Sequence, residues 1–276
     1  MKKSGDRPKK EKRERIPDNG QGPGSPHSKA PGMESSQVVQ QRRTMWPFTR
    51  KKNDLQENKH MGHLIAEQFN SLKIRIQHPG NGNLPRTLLV CSAFASEGKS
   101  TVSTNLAISF AQGLNNHVLL IDCDFRKPDL HNKFGLSPEK GLVDYINGNA
   151  ELPEIFLKTG IPKLALLPVG KPPPNPVDLI SSERMKDLIQ ELNNRLIDRS
   201  IIFDSSHIKL TTFPKLLIKL VDGVILVVEA GKTNREIVLR ITQDIGREKL
   251  LGIVLNGLEK CRSSRYYYNY YHNRYY

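Results

Sequence analysis

The sequence predicts an α/β protein, a mostly parallel sheet flanked by helices, and three observations carry that expectation. Short apolar runs recur along the chain: Leu88–Val90, Val118–Ile121, Ser200–Asp204, Gly223–Glu229 and Leu250–Asn256. Between them, longer stretches repeat apolar residues at helical spacing, and strands alternating with helices imply βαβ units. The first run breaks into a loop of small residues ending in Gly98-Lys99-Ser100-Thr101. An amphipathic stretch then begins with Val102, Leu106, Ile108 and Phe110, which is the strand–loop–helix setting of a phosphate-binding loop.

At 276 residues the chain is long enough for one large domain with tails. Residues 1–60 hold 15 Lys/Arg against 7 Asp/Glu, so more than half of the net charge of +14 lies in a segment rich in Gly, Pro, Ser and Lys. Such a composition buries too little apolar surface to fold. We expect residues 1–56 to be a disordered basic tail, open to three readings: nucleic acid, an anionic membrane face, or plain solvation. Trp46, Pro47 and Phe48, set among Arg42, Arg43, Arg50, Lys51 and Lys52, are candidates for interface docking. The N-terminus has no apolar core behind its lysines and does not read as a signal peptide. No apolar run reaches the roughly 18–20 residues that a bilayer span needs. Three cysteines, Cys91, Cys123 and Cys261, form neither a metal spacing nor an even disulfide set.

Taken in order, residues 56–77 predict a helix, because Ile65, Phe69, Leu72 and Ile76 form one stripe. Pro79–Pro85 is a loop, followed by the strand at 88–90 and the helix after the phosphate loop. The strand at 118–121 ends in Asp122-Cys123-Asp124. Gly141–Ile146 is a short helix, Leu164–Val169 a strand, and Gly170–Pro176 a proline-stiffened loop. Val177–Leu196 reads as one helix with Leu179, Met185, Leu188, Ile189 and Leu192 apolar. The strand at 200–204 ends in an acid, and the strand at 223–229 precedes Thr233-Asn234-Arg235-Glu236, a capping-box pattern with Thr233 at the helix start. The domain closes with the strand at 250–256.

The chemistry follows from where these motifs fall. Backbone N–H groups of the loop and the positive end of the following helix suit an anion. Lys99 reaches toward β and γ phosphates, and the Ser100 hydroxyl suits Mg²⁺. Ligands in open α/β sheets sit at the carboxyl ends of strands. Asp122, Asp124 and Asp204 therefore share the crevice of Lys99, where they can hold Mg²⁺ and take a proton from a hydroxyl. No acyl-transfer triad is visible around Ser205, Ser206 and His207. Seven of the eight tyrosines crowd the last eleven residues: Tyr266, Tyr267, Tyr268, Tyr270, Tyr271, Tyr275 and Tyr276. Two readings stay open for them, stacking on single-stranded nucleic acid or service as phosphoacceptors.

The motifs SAFASEGKST, LLIDCDFRKPDLH, IIFD, GKPPPNPVDLI, VDGVILVVEAGKT and GIVLN, together with the tyrosine tail, resemble those of the bacterial tyrosine kinases, cytoplasmic autokinases of capsule and exopolysaccharide synthesis. The resemblance runs from about Leu64 to the C-terminus and implies a P-loop NTPase fold of the Walker A / Walker A′ type. It implies ATP and Mg²⁺ as cofactors, held by Ser96, Glu97, Gly98, Lys99, Ser100 and Thr101, with Asn256 at the adenine. It makes Lys99, Asp122 and Asp124 catalytic, gives Ser100, Asp122, Asp124 and Asp204 to the metal, and makes the seven terminal tyrosines phosphoacceptors. The implied layout is a basic tail over 1–56, a kinase domain over 57–256 and a flexible tyrosine tail over 257–276.

Three positions depart from the family pattern. Ser205, Ser206 and His207 follow Asp204 where the family has Thr-Pro-Pro, and Ala95 and Ser96 replace a loop proline and glycine. Glu67, Asn70 and Lys73 stand where Glu-x-x-Arg-x-x-Arg joins subunits into a ring. The resemblance also implies a separate transmembrane activator or polysaccharide co-polymerase, a homo-oligomer, a cognate phosphatase, a place at the inner face of the membrane, and no nucleic acid. Two alternatives remain: a non-catalytic ATP-binding scaffold, and a partitioning-type ATPase, whose signature lysine would stand at Phe94.

Overall fold

The computed structural model describes residues 55–78, 84–173, 175–209 and 213–258. Helix α1 (Leu55–Gln77) precedes strand β1 (Thr87–Ser92), helix α2 (Lys99–Ala111) and strand β2 (His117–Cys123). Short helices α3 (Leu130–Lys133) and α4 (Leu142–Ile146) lead to strands β3 (Leu157–Lys158) and β4 (Leu164–Leu167). Helices α5 (Pro176–Ile180) and α6 (Glu183–Arg195) follow, then strand β5 (Arg199–His207), helix α7 (Phe213–Leu220), strand β6 (Gly223–Glu229), helix α8 (Arg235–Ile245) and strand β7 (Leu250–Asn256). The strands form one sheet in the order β3-β4-β2-β5-β1-β6-β7. Every pairing is parallel except that of β3 with β4.

The inner strands β1, β2, β5 and β6 are buried on both faces, while the edge strand β7 leaves Ile253 and Leu255 exposed. Alternation within β1 shows how: Leu89 and Cys91 join the core under α4, α6 and α8, while Leu88 and Val90 join the core under α1 and α2. The α1 stripe is used as its spacing predicts, with Phe69, Leu72 and Ile76 packed on the second core. Two of the three residues at the expected ring-forming positions are spent inside the protomer. Lys73 Nζ donates to Ser109 O at 3.0 Å, and Asn70 Oδ1 accepts from Ser109 Oγ at 2.8 Å, so both tie α1 to α2.

Several elements depart from the sequence-based expectation. The helix expected over 177–196 is two, because Ser182 is extended and caps α6 by accepting from Met185 N–H. Strand β5 runs past Asp204 to His207, since Ser206 and His207 carry N–H groups that the family's prolines lack. The extension pairs Ser205 with Cys123 and His207 with Ser92. The start of α8 is capped by Asn234, not Thr233: Asn234 Oδ1 accepts from Glu236 N–H at 2.7 Å. Helix α7 was not anticipated, although FPKLLIKL carries the apolar spacing of one. Residues 1–54 and 259–276 lie outside the described residues, and with them most of the basic segment and all seven clustered tyrosines.

Strand β5 lies between β2 and β1, and its Phe203 is fully buried. Replacing Phe203 with Ala is expected to cost about 3–5 kcal/mol through lost burial and the cavity left behind. The checking measurement is a lower urea midpoint at unchanged slope.

Candidate functional site

Three neighbouring strands, β2, β5 and β1, deliver the expected chemistry to one edge of the sheet. The phosphate loop leaves β1, Asp122 and Asp124 close β2, and Asp204 sits beside both on β5, in register with Asp122 and with Val90. At the loop's end Gly98 takes φ 94°, and no side chain caps the start of α2. The first turn of a helix leaves N–H groups without intrahelical partners, and the uncapped start points them at whatever anion enters. A Cβ at Gly98 would stand 2.0 Å from Asn256 Nδ2, so this position needs glycine for space as well as for its left-handed backbone.

Charge is concentrated under this loop. Lys99 Nζ pairs with Asp124 Oδ2 at 2.7 Å and lies 3.3 Å from Ser100 Oγ. Burial pulls the Lys99 pKa down, but Asp204, Asp124 and Asp122 outweigh it and hold the ammonium protonated above its ordinary range. Asp122 is fully buried and accepts N–H groups from Asp124 (3.1 Å), Asp129 (3.2 Å) and Leu130 (3.1 Å). Burial and the charge of Asp204 nevertheless push its carboxyl far above the usual range. Asp204 is raised by burial too, less far, because Lys99 and the Ser100 hydroxyl favour its charged form.

The residues present fit a nucleotide phosphate with a hard cation. Asp204 Oδ1 is buried and has no hydrogen-bond partner among the described residues, so a carboxylate lone pair stays available beside Lys99. The other oxygen donors in reach are the Ser100 hydroxyl and the Asp124 carboxylate. Oxygen-only donors suit Mg²⁺. Among the described residues no group of three or more His, Cys, Asp or Glu is disposed as a closed metal site. Mg²⁺ bound through waters and substrate phosphates needs no such cage.

The structure also gives Glu97, Asn256 and Thr233 roles that motif reading missed. The Glu97 side chain turns away from the loop's open face and into the protein, where it accepts from Phe94 N–H at 2.7 Å, from the Thr233 hydroxyl and from Glu229 N–H. Asn256 Nδ2 donates to the Glu97 carbonyl at 2.8 Å. The phosphate loop is thus clamped to the ends of β6 and β7. Thr233, which its spacing assigns to a helix cap, serves that clamp instead. Cys91 and Cys123 are buried with thiols pushed strongly up, which makes them inert packing groups. His207, half-buried at the end of β5, is lowered by its burial. Of the expected site residues, positions 96–101, Asp122, Asp124, Asp204 and Asn256 all come together here, while the tyrosines fall outside the described residues.

Comparison with known proteins agrees with this geometry. The model of the CobQ/CobB/MinD/ParA nucleotide binding domain matches residues 88–274. The tyrosine-protein kinase CpsD of Streptococcus agalactiae is 37% identical over 193 residues, covering 69% of this chain and 81% of that protein. The succinoglycan biosynthesis transport protein ExoP of Rhizobium meliloti is 30% identical over 209 residues, 73% of this chain but only 26% of its own length. Among solved structures, the kinase domain of the Escherichia coli tyrosine kinase ETK superposes with a TM-score of 0.64 at 27% identity, covering 70% of this chain and 75% of that one.

The raised acids predict a pH signature. A carboxyl whose folded pKa exceeds its unfolded value stabilises the fold below about pH 4, and that contribution is lost as pH rises through the raised value. Nucleotide-free protein should therefore lose stability toward neutral pH on account of Asp122 and Asp204. Asp204→Asn removes one of the two repelling charges. The variant's melting temperature is expected to gain on the wild type's between about pH 5 and about pH 8. Parallel curves across that range would show that these acids do not repel in the folded protein.

Proposed function

The chain belongs to the bacterial tyrosine kinases of the CobQ/CobB/MinD/ParA nucleotide-binding family, and from that premise we propose that it is an ATP-dependent protein-tyrosine autokinase of capsule or exopolysaccharide synthesis. The observation that carries the reading is Lys99, held at 2.7 Å from Asp124 beneath an uncapped helix start, with Asp204 Oδ1 bare beside it. Residues 57–256 form the kinase domain in this reading, with a basic tail before it and the tyrosine tail as its substrate.

The residues divide the work. N–H groups of positions 96–101 cradle phosphates, and Lys99 turns from Asp124 to the transferring phosphoryl group. Ser100, Asp122, Asp124 and Asp204 would hold Mg²⁺, which would supply charge neutralisation for the phosphates. A bound Mg²⁺ would favour the charged form of Asp122, and that carboxylate, with Asp124 released once Lys99 leaves, would then accept the phenol proton of the incoming tyrosine. Asn256, already fixed to the loop through Glu97, borders the adenine.

The acceptors are tyrosines among Tyr266–Tyr276, and transfer runs in trans between subunits of a homo-oligomer. A separate transmembrane activator or polysaccharide co-polymerase and a cognate phosphatase complete the cycle. Among the described residues no helix is long and apolar enough to cross a membrane, so a place at the inner membrane face depends on that activator and on the basic tail.

The test incubates purified full-length protein with ATP and Mg²⁺, with and without the activator's cytoplasmic segment, and reads phosphotyrosine by mass spectrometry. Phosphate on the terminal tyrosines is expected; its absence in both conditions would favour a nucleotide-binding scaffold. Lys99→Met should lower the rate by at least about 10²-fold without unfolding the protein, because phosphate contacts are lost and packing is not. Asp122→Asn should slow transfer comparably. Mixing Lys99→Met with an active variant lacking the tail should phosphorylate the Lys99→Met tail. If that tail stays bare while the two proteins co-purify, transfer is not in trans.

A further inference from the structure

The edge of the sheet opposite the nucleotide site carries a second, unassigned surface. The three most exposed large apolar side chains among the described residues are Leu114 (95%), Ile197 (71%) and Leu84 (65%). Single exposed leucines are ordinary and need no explanation. These three are not scattered. Leu114 lies three residues before β2, Ile197 two before β5 and Leu84 three before β1, and β2, β5 and β1 are neighbours in the sheet. Neighbouring strands lie about 4.8 Å apart, so the topology gathers the three tips at one end of the molecule.

Charges at this end frame the tips. Lys163, which enters β4 on one side, donates its ammonium to the carbonyls of Gly113 and Leu114. Arg86, which enters β1, donates to the carbonyls of Asn193 (2.9 Å) and Leu196 (3.2 Å) at the end of α6. Lys249, which enters β7 on the other side, donates to Val221 O at 2.6 Å. All three cations bond to backbone carbonyls, and none lies within ion-pair distance of a carboxylate among the described residues. A helix C-terminus presents only about half a negative charge, so the full charges of Lys163 and Arg86 are not cancelled there. The acids nearby are engaged. Asp198 pairs with Arg199, and Asp222 accepts the N–H groups of Arg86 and Thr87. Glu248 stays within the turn at Gly246.

The same bonds fix the tips in place. Lys163 ties down the loop of Leu114, and Arg86 ties down the loop of Ile197. Rigid, separate apolar tips backed by unneutralised cations match a surface that is apolar within and anionic at its boundary. We propose that Leu84, Leu114 and Ile197 insert into an anionic phospholipid bilayer, with Lys163 and Lys249 facing its phosphate headgroups. The bilayer contact then lies at the amino ends of the strands, and the nucleotide site at their carboxyl ends faces away from it. This deepens the membrane localisation proposed above and rests on it, while needing nothing of the kinase chemistry.

The test uses full-length protein and extruded vesicles of phosphatidylglycerol with phosphatidylcholine, against phosphatidylcholine alone, read by co-sedimentation. Three proteins are compared: wild type, the triple variant Leu84→Ser/Leu114→Ser/Ile197→Ser, and Lys163→Gln/Lys249→Gln. The substituted apolar side chains are exposed, so the triple variant should keep its melting temperature and autophosphorylation rate. Wild type is expected to bind only the anionic vesicles. The triple variant should lose at least tenfold in partitioning, and the lysine variant should bind more weakly and with a shallower salt dependence. Equal binding of wild type and triple variant would overturn the proposed face and leave the localisation to the basic tail. No binding of wild type to anionic vesicles would overturn the proposed contact and leave the localisation to the activator. A triple variant that changes the protein's self-association, with vesicle binding unaltered, would assign the surface to a second copy of the chain and overturn the lipid reading.

Discussion

The site depends on one ion pair. Asp122, Asp124 and Asp204 are buried at the ends of adjoining strands, and three like charges there would repel strongly in a medium that screens poorly. Lys99 relieves this by pairing with Asp124 at 2.7 Å and by drawing Asp204 toward its charged form. Asp122 lacks such a partner and holds its proton instead, even with three N–H groups pointing at it. In the proposed function a metal bound among these acids would take over the work of the lysine, and Lys99 would then be free to meet phosphate.

A cation that changes partners needs a loop that does not. Glu97 supplies that rigidity by gathering Phe94 N–H, the Thr233 hydroxyl and Glu229 N–H on one buried carboxylate. Buried polar groups carry such weight only when fully bonded, since each unpaired one costs about 1–3 kcal/mol. Asn256 holds the next carbonyl, so the phosphate loop and the ends of β6 and β7 move as one body. In the proposed function, base and phosphates would meet a single preorganised frame and not two independent subsites.

Much of this was legible in the sequence, because the signals were local. A parallel strand reads as a short apolar run, which is why the spans 223–229 and 250–256 were recovered residue for residue. The acids were legible because they end such runs. What escaped reading depends on contacts distant in sequence. The Glu97–Thr233 bond spans 136 residues, and nothing near Thr233 distinguishes it from a helix cap. The break at Ser182 escaped because the helical stripe continues across it, and one extended residue leaves no gap in apolar spacing. The ring-motif positions Asn70 and Lys73 were marked as departures, yet only packing revealed that they bind Ser109 of the same chain.

The segment after Asp204 joins these threads. Prolines at the places of Ser206 and His207 would cut the β5 ladder short, whereas these residues let it continue beside β1 and β2. Small hydroxyl residues are what the position tolerates: Ser205 is fully buried, and its hydroxyl returns to Val90 O at 3.3 Å. The longer strand stiffens the backbone that carries Asp204 and places His207 at the mouth of the site. Metal binding asks only for the carboxylate, which keeps its free oxygen. The departure from the family pattern therefore lengthens the strand that walls the cleft and leaves the Asp204 carboxylate in place.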